Sequence, residues 1–181
     1  TITPKAATVV ADAKSKTYGD ENPTLTALVT GQVSGGDVIN YTLATTAEQF
    51  SNVGGYPIVV TLGDNPNYTV TKTDSTLTIN KAVLTITADN KSIYYGAADP
   101  VFTFQYAGFV NNETAAVVDT APTCAVSGTH SAVGTYPIVC SGGADNNYLF
   151  TYVNGTLTVA SWTMNGFFQP TDMSSATGPI V

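Results

Sequence analysis

Few side chains in this 181-residue chain have the types and spacing that chemistry requires. Cys124 and Cys140 are 16 positions apart and flank a segment with Gly128 and Gly134 near its middle. Antiparallel strands around such a loop would set them opposite one another, within the ~5.5–6 Å between Cα atoms that a disulfide prefers. The alternative is a pair of buried free thiols, but the composition suits an oxidising compartment and so predicts a Cys124–Cys140 bridge. Two cysteines and one histidine fall short of a four-ligand zinc site. That histidine, His130, has Ser127, Ser131 and Asp119 nearby in sequence. These are the residue types of a nucleophilic triad, yet no serine sits in a nucleophile-elbow motif, so His130 reads as a solvated loop residue. Asp64-Asn65-Pro66-Asn67 and Asp145-Asn146-Asn147 offer the oxygen atoms that calcium takes. Asp and Asn also dominate turns, where they cap the backbone and tolerate left-handed conformations. Turn chemistry is the simpler reading. The expectation is therefore no catalytic residue, no metal and no cofactor.

Aromatic residues form the second group of candidates. Tyr18, Tyr56, Tyr95 and Tyr136 recur beside Gly and Pro. Exposed, they would stack on sugars; buried, they would fill a core with each hydroxyl on a backbone partner, which suits their surroundings better. Phe102, Phe104, Tyr106 and Phe109 mark the place for an aromatic binding patch, since the first copy offers Leu25, Ala27, Val29 and Val33 nearby. A Lys–Asn isopeptide bond would need Lys5 or Lys81 buried beside Asn and a carboxylate. Asn40, Asn67, Asn90, Asn112 and Asn154 begin Asn-x-Ser/Thr sequons, relevant only in a host that glycosylates asparagine.

Composition narrows the functional classes. Charged residues are 10% of the chain against about 25% in an average domain, while 43% is hydrophobic. Net charge is −7 and all six basic residues are Lys. Nucleic-acid binding needs a basic face and usually Arg, so it is disfavoured, as is an anionic membrane surface. No apolar run approaches the ~20 residues of a spanning helix. Thr-, Asn- and Gly-rich polarity suits a secreted or surface β-protein.

The elements that must position these residues occur twice. Tyr18-Gly19, Pro23 and Gly31 return as Tyr95-Gly96, Pro100 and Gly108, displaced by 77. Gly54-Gly55-Tyr56-Pro57-Ile58-Val59, Asn67-Tyr68 and Leu77-Thr78-Ile79 return displaced by 80, leaving a three-residue insertion between Gly108 and Gly134. In the first copy, Val60 occupies the place of Cys140. Period-two alternation predicts strands at 7–13, 25–29, 58–62, 68–70 and 77–79, then at 84–88, 101–106, 137–140, 148–152 and 157–159. Asn154-Gly155 reads as a type I′ hairpin turn, and 112–118 as a single helical turn. Six or seven strands in under ~80 residues predict a small immunoglobulin-like sandwich; a β-grasp-like α+β unit is the alternative. The fold class is all-β, with two tandem units arranged as an elongated pair. Residues 1–4 read as the last strand of a preceding repeat, 5–80 and 81–160 as the two units, and 161–181 as the truncated start of a following module.

These landmarks together resemble the MBG domain of the YGX type, a repeat of bacterial secreted and cell-surface proteins. The residues carrying the resemblance are Ala11-Asp12, Tyr18-Gly19, Pro23, Gly31, Gly54, Tyr56, Asn67-Tyr68 and Leu77-Thr78-Ile79, with their partners in the second copy. It covers residues 5–160. The tail Trp162…Gly166-Phe167-Phe168-Gln169-Pro170…Asp172 is similar to the opening of a PxKF-type module. The resemblance implies non-catalytic stalk or spacer repeats of an adhesin-like protein, located at the cell surface or outside the cell, with no family catalytic residues to carry over. Expected partners are neighbouring domains of the same chain or identical subunits, with a surface glycan or protein as a further possibility. A glycan- or protein-binding module is one alternative. Another is a subunit of a self-assembling filament, pairing through Thr1-Ile2-Thr3 or the tail from Trp162.

Overall fold

In the computed structural model, residues 3–162 are described. Thr1, Ile2 and the tail beyond Trp162, read above as parts of flanking modules, lie outside the described residues. The first unit has strands β1 (Lys5–Ala11), β2 (Lys14–Thr17), β3 (Ala27–Thr30), β4 (Tyr41–Thr45), β5 (Gly54–Leu62), β6 (Tyr68–Thr73) and β7 (Ser75–Asn80). The second has β8 (Ala82–Ala88), β9 (Lys91–Tyr94), β10 (Phe104–Ala107), β11 (Thr123–Val126), β12 (Gly134–Ser141), β13 (Tyr148–Val153) and β14 (Gly155–Ala160). A 3₁₀ turn at Ala115–Val117 falls within the segment where one helical turn was expected. Among the described residues no α-helix lies across a sheet, so the β-grasp alternative finds no support.

Each unit layers a three-stranded sheet on a four-stranded one. The orders are β3-β1-β6 and β2-β7-β5-β4, repeated as β10-β8-β13 and β11-β12-β14-β9. Alternation explains the layering. Ala7, Val9 and Ala11 of β1 point inward against Ile58 and Val60 of β5 and Leu77 and Ile79 of β7, while Thr8, Val10, Val59 and Thr78 between them turn outward. Burying each Val, Leu or Ile contributes about 1.5–3 kcal/mol. The sheets are mixed: β1 runs parallel to β6 and β2 parallel to β7, as do β8 to β13 and β9 to β14.

Parallel pairing corrects the hairpin expectation. β13 and β14 are adjacent in sequence but lie in different sheets, β13 beside β8 and β14 between β12 and β9. Asn154 is the single residue at which the chain crosses between layers. Neither Asn154 nor Gly155 has positive φ, so no type I′ turn forms there. Gly155 has a different reason to be glycine, because a Cβ there would sit 2.7 Å from the carbonyl oxygen of Ala88.

Only Lys81 separates β7 from β8. Ala82, Leu84 and Tyr148 of the second unit join the buried cluster of the first. Ile86, Ala88, Ile138, Cys140, Leu157 and Val159 form a second cluster within the second unit.

Candidate functional site

Where the two units meet, the repeated landmarks take on separate jobs. Gly19 holds φ +90°, which glycine adopts without strain. A Cβ on it would lie 2.8 Å from Val110 Cγ2, so the second unit approaches its backbone directly. Val110 begins a tight reversal: Asn111 and Asn112 both have positive φ (52° and 54°), and Glu113 N–H donates to the Val110 carbonyl at 2.9 Å. Positive φ at both central positions is the type I′ pattern, which Asn tolerates. This turn aims Glu113 back at the junction.

Glu113 accepts from two phenols, one from each unit. Tyr18 donates to Oε1 at 2.7 Å and Tyr148 to Oε2 at 2.5 Å, and the two rings stack edge to face at 5.7 Å. Val110 N–H in turn donates to the Tyr148 hydroxyl at 3.0 Å. Burial, reinforced by the Glu113 hydrogen bond and charge, pushes the Tyr18 phenol up to about 12; the same causes raise that of Tyr148. Val53 N–H donates to Asn147 Oδ1 at 3.0 Å, Asn147 Nδ2 to Asn52 Oδ1 at 3.0 Å, and Lys81 Nζ to the Asp145 carbonyl at 2.6 Å.

Cys124 and Cys140 stand directly opposite on β11 and β12, with Sγ atoms 1.96 Å apart. The corresponding register pair in the first unit is Leu43 and Val60. The bridge thus occupies a place that apolar packing fills in the first unit.

His130 does not assemble a triad. Its Nε2 lies 2.7 Å from Asp99 Oδ1, its Nδ1 is buried without a partner, and no hydrogen bond joins it to Ser127 or Ser131. Asp119, near it in sequence, instead accepts from Asn146 N–H at 3.0 Å. The ring is only partly exposed and lies against Tyr136, so it is less solvated than the loop position implied. An open-sided cleft of about 600 Å³ is lined by Ile93, Tyr95, Gly96, Thr129, His130 and Ser131 among others. In the first unit Lys16 stands where Ile93 stands. Its buried Nζ donates to the carbonyls of Asp20, Glu48 and Gln49 at 2.8–3.0 Å, tying that loop down. Ile93 has no such donor, and the cleft is left open.

The Asp/Asn loops spend their oxygens on the backbone. Asn65 Oδ1 accepts from Asn40 N–H, and Asp145 Oδ1 from the N–H groups of Asn147 and Tyr148. Among the described residues no group of three or more His, Cys, Asp or Glu is placed to hold a metal. Tyr56 and Tyr136 each donate to a carbonyl four residues back, Asn52 and Ala132, at 2.9 Å. Tyr18 is buried as expected, but its hydroxyl goes to a side chain. Tyr95 departs from the buried reading: it is 57% exposed and lines the cleft. Phe102, Phe104, Tyr106 and Phe109 are half-buried against the cores, so they form no exposed aromatic patch. Lys81 is exposed, and its Nζ bonds a main-chain carbonyl, not an Asn side chain. Sequence reasoning missed Glu113 altogether, since a lone glutamate in an insertion carries no pattern.

The sequence model described as MBG domain (YGX type) matches residues 7–78 and again 84–158. The chain belongs to the MBG family of the YGX type. The Tyr-Gly pair of that type is Tyr18-Gly19 in the first MBG unit and Tyr95-Gly96 in the second. No curated protein matches the chain. No helix among the described residues is long and apolar enough to cross a membrane.

Proposed function

We propose that the MBG pair is a non-catalytic spacer within a bacterial cell-surface or extracellular, adhesin-like protein. Its role is to hold a neighbouring module at a set distance and direction. The observation that carries this reading is the junction. One residue links β7 to β8, a hydrophobic cluster continues across the boundary, and Glu113 is hydrogen-bonded to both units. Interfaces between domains usually permit relative motion unless they are apolar and closely packed; these contacts oppose bending. Among the described residues, the cleft beside His130 has no nucleophile hydrogen-bonded to that histidine, which fits a mechanical rather than a chemical role. Its partners on this reading are neighbouring domains of the same chain or identical subunits.

Backbone nitrogen relaxation on the full chain tests the spacer. Both units are expected to report one anisotropic diffusion tensor. Separate tensors for residues 5–80 and 82–160 would mean a flexible hinge and would rule the spacer out.

A further inference from the structure

The first and last segments of each MBG unit run side by side, in the same direction and in one unbroken register. In the first unit, residues 5–10 of β1 pair in parallel with 68–73 of β6, Lys5 opposite Tyr68, 63 positions on. Residues 14–17 of β2 pair in parallel with 77–80 of β7, Lys14 opposite Leu77, again 63 positions on. In the second unit, Ala82 stands opposite Tyr148 and Lys91 opposite Leu157, both 66 positions on. The extra three are the insertion between Gly108 and Gly134. Both segments therefore change sheets together, at Asp12-Ala13 beside Asp74 and at Asp89-Asn90 beside Asn154, without losing step.

These ladders are closed at both ends. Lys5 N–H donates to the Asn67 carbonyl at 3.0 Å and Tyr18 N–H to that of Asn80 at 2.8 Å. Ala82 N–H donates to the Asn147 carbonyl and Tyr95 N–H to that of Ala160, both at 2.9 Å. Side chains add to the pairing in the second unit. The Thr85 and Thr151 hydroxyls share a hydrogen bond at 3.1 Å, and Thr156 N–H donates to Asn90 Oδ1 at 2.8 Å where the segments cross between sheets. The strands by which the chain enters and leaves each unit are all inner strands. β1 lies between β3 and β6, β7 between β2 and β5, β8 between β10 and β13, and β14 between β12 and β9. None of them can peel away from an open sheet edge.

We infer that each unit is a clamp against tension along the chain, its first and last segments bearing the load in shear. Because the segments are parallel, Lys5 and Asn80 lie at opposite ends of one ladder, and Ala82 and Ala160 at opposite ends of the other. A pull between those ends slides one segment lengthwise past its neighbour. All ten register pairs of a unit, six in one sheet and four in the other, then resist together. Parallel ladders space their bonds evenly along the strands, so the load is shared. Lys81 alone passes tension from β7 to β8. The Cys124–Cys140 bridge lies in the chain between the two segments of the second unit and does not join them; it withholds a loop from extension without bearing on the clamp. The inference deepens the spacer reading and rests on it for the source of the load, while the clamp geometry comes from strand order and register alone.

Single-molecule pulling on the full chain, held by its two termini, tests the clamp. Each unit is expected to give its own rupture event. After reduction, the event of the second unit is expected to release about 50 Å more chain, the 16 steps from Cys124 to Cys140 at ~3.3–3.6 Å each less the 4.0 Å the bridge spans; this tells the two events apart. Moving one handle to the exposed Asp64, in the loop that leads into β6, and keeping the other at the amino terminus changes only the direction of pull. β1 and β6 are then drawn apart from the same end and open pair by pair. Rupture in this direction is expected at a force at least about twofold lower than end to end, because the pairs break in turn and not together. The chain carrying the Asp64 attachment, pulled by its termini, is expected to match the parent, which shows that the unit is folded. Equal rupture forces in the two directions overturn the inference, as does a first unit that extends without a rupture event when pulled by its termini. A ladder that yields early in a pair with one diffusion tensor removes the clamp and leaves the spacer. Two tensors with a resistant ladder remove the spacer and leave the clamp.

Discussion

Glu113 lies in the longer second-unit loop and accepts from phenols of both units. Replacing it with Ala leaves two phenols without their charged acceptor, and hydrogen bonds to charged groups are worth about 1.5–3 kcal/mol each. Glu113→Ala is expected to lower stability by roughly 2–4 kcal/mol in urea denaturation, with Glu113→Gln costing less; an unchanged midpoint would show that water substitutes for the carboxylate. The same geometry has a pH signature. Tyr18 ionises near 10 when unfolded and near 12 when folded, mainly through burial and then through Glu113. A raised folded value means that its contribution is fully present below about pH 10 and is lost as pH rises toward 12. Ultraviolet titration of the folded protein should therefore find tyrosines that ionise late, and denaturation in alkali should bring them back to the ordinary range. The Cys124–Cys140 bridge closes a loop of about 15 residues, worth roughly 3 kcal/mol in the chain-entropy account. Reduction is expected to lower the melting temperature of the second unit and leave the first unchanged; an unaltered melt would deny the bridge a structural role.

At the level of elements, glycine at 155 is set by a neighbouring strand and not by a turn. A methyl group there meets the Ala88 and Asp89 carbonyls at 2.7 and 2.9 Å. Gly155→Ala is expected to cost about 1–3 kcal/mol through overpacking. Gly134→Ala, whose nearest neighbour is 3.7 Å away, is expected to change the denaturation midpoint little. The Asn154-Gly155 pair shows why this element was misread. A hairpin and a crossover between sheets both need a break between two alternating runs, and only the pairing partners distinguish them. Long alternating strands such as β1, β5, β8 and β12 were legible because their inward faces are apolar at every second position. β2, β4, β9 and β11 were not. Lys14-Ser15-Lys16-Thr17, for example, carries no apolar period and is a strand because β7 offers it a parallel edge.

For the whole molecule, the junction turns repeated residues into unequal ones. Gly19 and Gly96 share a left-handed backbone, so Ala at either position incurs a similar conformational cost of ~1–2 kcal/mol. Only Gly19 also faces Val110. Gly19→Ala is thus expected to exceed Gly96→Ala by about 1–3 kcal/mol in dilute solution, and equal losses would show that the close approach contributes nothing. The duplication, the all-β class and the pairing of the two cysteines were determined by sequence, because each is expressed over a few neighbouring positions or as a fixed displacement along the chain. The parallel pairings, the shared acceptor at Glu113, the cleft left by Ile93 and the different fates of Tyr18 and Tyr95 were decided by tertiary structure alone. Those features join residues tens of positions apart, and the physical quantity that selects them, burial of one element's surface by another, exists only once the chain has folded.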